Sequence, residues 1–86
     1  MTPFVWNFRG HGVVDINVPN LPVRSDSIAV ASATELGIFG GEEKPFIGSA
    51  SIQVVNIAPQ DNGVLRIRVN VMWDNDLNVR VNGVVI

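Results

Sequence analysis

The stretch "VLRIRVNVMWDNDLNVRVNGVV", Val64 to Val85, carries the clearest structural signal in the chain. Leu65, Ile67, Val69, Val71 and Trp73 occupy the odd positions, with Arg66, Arg68, Asn70 and Met72 between them. The pattern resumes after the acidic triplet, where Leu77, Val79, Val81, Gly83 and Val85 alternate with Asn78, Arg80 and Asn82. Alternation of this kind marks a strand with one face on a core and the other toward water. Two such strands joined by a short turn predict a hairpin, in which same-face residues stand opposite one another. A two-residue loop would set Trp73 against Asn78 and mix the faces. A three-residue loop of Asp74, Asn75 and Asp76 pairs Trp73 with Leu77, Val71 with Val79, Val69 with Val81, Ile67 with Gly83 and Leu65 with Val85. Asp76 would hold the left-handed last position, which Asn, Asp and Gly tolerate best.

Upstream, "GSASIQVVNIAPQDNG" (48–63) reads as a further strand over about Ser49 to Ile57, followed by a turn in which Asp61, Asn62 and Gly63 are strong turn formers. Ala50, Ile52 and Val54 are expected to face the core, although Val55 and Ile57 break the parity. The last 40 or so residues thus predict a three-stranded antiparallel meander. At the other end Phe4, Trp6 and Phe8 alternate with Val5, Asn7 and Arg9, and after "GHG" (10–12) Val14, Ile16 and Val18 continue the pattern. That reads as two strands, or as one bent sharply at the glycines.

"VPNLPVRSDS" (18–27) has two prolines and several turn formers, which suits a surface connection outside any ladder. "SIAVASATELGIFGG" (27–41) admits two readings. Asp26 could cap a helix ending at Leu36 and Gly37. Strand is favoured, because β-branched residues and serine outnumber good helix formers other than alanine. Six or seven short strands with Gly, Pro and Asn turns imply one all-β domain over residues 1–86, a small antiparallel sandwich or partly open barrel.

At 86 residues the chain holds one core, since two would each be too small to be stable. Charged residues make up 16%, against roughly 25% in an average soluble domain. So small a domain leaves much of its surface in water, and that surface must be rich in Asn, Ser, Thr, Gly and apolar groups. The composition therefore predicts a surface partly covered by copies of the same chain or by another partner, the plain alternative being a monomer with scattered exposed Val and Ala. Net charge is −2, with Lys44 the only lysine, which argues against nucleic-acid binding and against a polybasic membrane contact. Without cysteine there is no disulfide, thiolate or Cys-bound metal. No signal peptide is visible at the start, nor ~18 uninterrupted apolar residues to span a bilayer. The expectation is a soluble protein, cytoplasmic by default.

Several residue groups could carry chemistry. Asp74, Asp76 and Asn78 match part of a calcium loop, but Val79 stands where that loop needs glycine and Val85 where it needs a bidentate carboxylate. Glu42 and Glu43 are expected at the same end of the fold as Asp74 and Asp76, with Asp61 at the other. Those four carboxylates are weak candidates for Ca²⁺, and the plain alternative is two solvated turns. In the hairpin register, Arg66, Arg68 and Arg80 share one outward face with Asn70, Asn78 and Asn82. Planar guanidinium and amide groups at fixed spacing suit carboxylates, phosphate or sugar hydroxyls, or the face stacks on a second subunit. Trp73, beside the acidic turn with Asn75 at its centre, could stack on a sugar ring. His11 between two glycines could act as an acid or base, with no partner indicated by spacing.

Together these features predict a non-enzymatic, self-associating, lectin-like binding module for carbohydrate, with ligand-contact candidates Trp73, Asp74, Asn75, Asp76, Arg66, Arg68, Arg80 and Asn78 and no cofactor. The alternatives are a structural subunit of a homomeric assembly, and a small β-barrel enzyme using His11.

Overall fold

The computed structural model describes residues 1–86 and consists of seven strands with no helix: β1 Thr2–Gly10, β2 Gly12–Val18, β3 Ala29–Phe39, β4 Glu42–Phe46, β5 Ser51–Pro59, β6 Leu65–Met72 and β7 Leu77–Val85. They form two antiparallel sheets, one in the order β1-β7-β3-β4 and the other β2-β6-β5. The all-β sandwich expected from the alternation is the observed fold. The stretch with helix and strand readings is the 11-residue β3. No helix is long and apolar enough to cross a membrane.

The hairpin over Asp74, Asn75 and Asp76 is not formed. β6 pairs with β2 and β5, whereas β7 pairs with β1 and β3, so the acidic triplet lies in a sheet-to-sheet crossing. Of the expected meander only the β5–β6 pair exists. The physical reason lies in what alternation encodes. It says which side chains face the core, but a strand in either sheet of a sandwich meets that requirement. Leu65, Ile67, Val69 and Val71 enter the core from one sheet, and Val79 and Val81 from the other, all at 0–1% exposure. Val81 therefore has Trp6 and Ala33 as its ladder partners, not Val69.

The β1–β2 connection is a second crossing of the same kind. Gly10 pairs with Leu77 in one sheet and Gly12 with Val71 in the other, so His11 spans the two layers beside residues 73–76. Gly12 has φ +70°, a left-handed value that glycine adopts without a side-chain clash. In contrast, β3 and β4 form a true hairpin around Gly40 and Gly41, at φ 61° and 81°. Positive φ at both central residues suits the right-handed twist of paired strands.

The parity conflict in β5 resolves through a β-bulge between Val54 and Asn56. The extra residue lets Ile52, Val54 and Ile57 all pack on the core while Val55 turns outward. The connection 19–28 is tied to the β5–β6 turn: the Leu21 amide donates to the Gly63 carbonyl, and the Ser25 amide donates to Asp61 Oδ1 at 2.7 Å. Val23 in that connection is buried.

The molecule is a slab of 38 × 26 × 15 Å. Its thickness matches two sheets ~10 Å apart, and both broad outer faces are presented to the surroundings.

Candidate functional site

The candidate residues fall in three separate places. The first is the outer face of β2-β6-β5. Asp15 stands directly across from Arg68, and Arg66 has Asn17 on one side and Ala58 on the other. Arg68 Nε donates to Asp15 Oδ1 at 2.7 Å and its Nη2 donates to Oδ2 at 3.0 Å, a two-point grip that fixes the guanidinium plane. These hydrogen bonds hold the Asp15 carboxyl below its ordinary 3.8 and raise the Arg68 guanidinium above its ordinary value. Arg66 makes no side-chain hydrogen bond or ion pair, and its charge adds to that of Arg68 in lowering the Asp15 pKa. Around these groups Asn56, Ala58 and Ile67 complete an open recess of about 200 Å³.

Arg66 and Arg68 were expected here. Asp15, Asn17 and Asn56 were not, because their strand partners are far away in sequence and alternation names no partner. The one available signal was the outward position of Asp15 between Val14 and Ile16.

The second place is the outer face of β1-β7-β3-β4. Arg80 lies there between Asn7 and Thr34, with its Nε enclosed and without a hydrogen-bond partner. Asn78 accepts a 3.2 Å bond from Arg9 Nη1. The shared face of Arg66, Arg68 and Arg80 is therefore overturned: β7 belongs to the opposite sheet, and the hydrophobic core separates Arg80 from the other two.

The third place is the end where both crossings lie. Trp73 follows the last residue of β6 and is 42% exposed, with its amide donating to the Val71 carbonyl. Asn75 Nδ2 donates to Asp74 Oδ1 at 3.2 Å. His11 Nδ1 lies 2.6 Å from Asp76 Oδ1. This partner was invisible to spacing, since 65 residues separate the two. The contact joins the two crossings and orients the imidazole. Neither Glu42 nor Glu43 joins this group. They lie on β4, separated from β7 by β3, or by about two strand spacings of ~4.8 Å. Glu42 instead approaches Lys44 at 3.6 Å. No three His, Asp or Glu side chains gather closely enough to hold a metal ion, and the core contains no polar or charged side chain.

The arrangement with most chemical capacity is the recess at Arg66 and Arg68. It offers a locked guanidinium, a second guanidinium without a hydrogen-bond partner and the Asn56 amide, all on rigid β-structure. Comparison with protein-family models, with curated proteins and with solved structures finds no match for this chain.

Proposed function

We propose that this protein is a non-enzymatic binding module that self-associates and takes a hydroxyl-rich ligand, a carbohydrate by class, on the outer face of β2-β6-β5. The observation that carries the reading is the free Arg66 guanidinium beside the Asp15–Arg68 pair in a recess of about 200 Å³. Buried small-molecule pockets run to ~300–1,000 Å³. The smaller, open recess fits a surface contact with one ring-sized unit of a longer chain. Asp15 and Asn56 offer acceptors to sugar hydroxyls, while Arg66 offers donors to a hydroxyl or carboxylate.

A glycan array that includes neutral and acidic sugars tests this reading. Binding of at least one class, weakened tenfold or more by Arg66→Ala and unchanged by Arg80→Ala, is the expected result. An array with no bound sugar would remove the ligand assignment.

Enzymatic use of His11 has the Asp76 contact in its favour. Neither the recess at Arg66 and Arg68 nor the one lined by β3, β5 and the 46–50 segment includes His11.

A further inference from the structure

The self-association in that reading has no surface assigned to it. The outer face of β1-β7-β3-β4 divides into two halves of different character. Toward the crossings it is polar, with Arg9 bonded to Asn78 and Arg80 beside Asn7 and Thr34. At the opposite end the register lines up Pro3, Val84 and Val30 across three strands. The Ile86 amide donates to the Ile28 carbonyl at 2.8 Å, which continues the β7–β3 ladder and sets a further apolar row beside the first. Val5 extends the patch along β1. Val5 is 60% exposed, Ile28 65%, Val30 52% and Ile86 63%. Side chains of this kind on central and edge strands of one sheet form a continuous apolar surface. Isolated exposed valines on a monomer need no explanation, whereas a contiguous patch marks an interaction site.

We infer that this apolar half-face is the contact with a second copy of the chain, packed sheet on sheet. This rests on the self-association in the proposed function and names its surface. Two features favour a second copy as the occupant. In a two-fold contact each patch meets itself, so a charged patch would repel its own copy. None of Pro3, Val5, Ile28, Val30 or Val84 carries an ionisable side chain, nor do their row neighbours Asn82 and Ser32. Size is the second. Half of the 38 by 26 Å broad face is roughly 500 Å² per partner, or about 1,000 Å² in all, the size of a weak, reversible dimer. The neighbouring edges favour face-on packing over edge pairing: β1 carries Pro3 and Arg9, and β4 carries Glu42, Glu43, Lys44 and Pro45.

Sedimentation velocity from low to high micromolar concentration tests the assignment, with circular dichroism to verify that each variant keeps its sheet. The expected result is a dimer that Val30→Glu or Val5→Glu converts to monomer, while Ile47→Glu, on a side chain 99% exposed elsewhere, leaves it intact. A dimer that survives both sheet-face variants would overturn this surface and leave self-association standing. A chain that is monomeric throughout, or that associates only with lipid vesicles or another protein, would overturn both.

Discussion

A Cβ on Gly83 would stand 2.1 Å from the carbonyl oxygen of Val30. The same atom would lie 2.9 Å from the Ala31 Cα and 2.9 Å from the Phe4 ring, because Gly83 is the β7 residue between Phe4 and Ala31 in the ladder. The Phe4 ring covers the space that a side chain would take, and Phe4 is itself buried.

Gly83→Ala should therefore be among the most destabilising single changes in the protein. The obstructing atoms include backbone that cannot rotate away, so the loss is expected at roughly 3 kcal/mol or more, at or above the upper end for overpacking. Gly10→Ala is the control. Its nearest neighbour would be a side-chain atom at 3.4 Å, and a change below ~1 kcal/mol is expected. Urea unfolding of both variants checks the contrast, and equal midpoints would contradict it.

Removing Leu65 volume should show how far the small core depends on its largest members. Leu65 is fully buried in a core cluster of nine buried residues. Leu65→Ala is expected to cost about 2–5 kcal/mol. Val55→Ala, at the outward bulge position, should cost well under ~1 kcal/mol. Thermal melts of the two variants compare them directly.

Acid should weaken the β2–β6 contact in a defined direction. Hydrogen bonds from Arg68 depress the native Asp15 pKa below the unfolded value of 3.8. Depression means that the unfolded chain binds the proton more readily. The Asp15 contribution is then fully present above pH 3.8 and is lost as the pH falls through the lower native value. Asp61, depressed by the Ser25 amide, follows the same sign. The stability gap between the parent and Asp15→Asn should narrow below pH 3.8 and stay level from pH 5 to 7, where both carboxylates are ionised. Denaturant midpoints across that range measure it; a gap that widened on acidification would refute the assignment.

Calcium should leave the melting temperature unchanged. Asp74 and Asp76 lie in one crossing, Asp76 is engaged by His11, and Glu42 and Glu43 lie on β4, with no three such side chains together. Scanning calorimetry with millimolar calcium and with chelator provides the comparison. A rise of several degrees with calcium would restore the four-carboxylate site considered from the sequence.

The two alternating runs from Leu65 to Val85 determined strand identity and core face without help from tertiary structure. Hydrophobic burial imposes a period of two wherever one face meets a core, and Val69, Val71, Val79 and Val81 are at 0% exposure. β5 shows the edge of that legibility: Val55 and Ile57 disturb the parity, and only the bulge explains why Ile52, Val54 and Ile57 can all be inside. The candidate site was legible in part. Arg66 and Arg68 stood out as outward cations on one strand, but Asp15 and Asn56 joined them through pairings with strands distant in sequence.

What only the tertiary structure decided is which strand lies beside which. A hairpin and a sheet-to-sheet crossing bury the same odd-numbered residues, so alternation cannot separate them. The choice placed Asp74, Asn75 and Asp76 in a crossing, put His11 beside Asp76, and set Arg80 on the opposite face from Arg66 and Arg68. Burial patterns follow from local sequence because each side chain responds to water by itself. Partner choice depends on backbone hydrogen bonds, which every strand offers alike, and is settled only when both layers of the core close together.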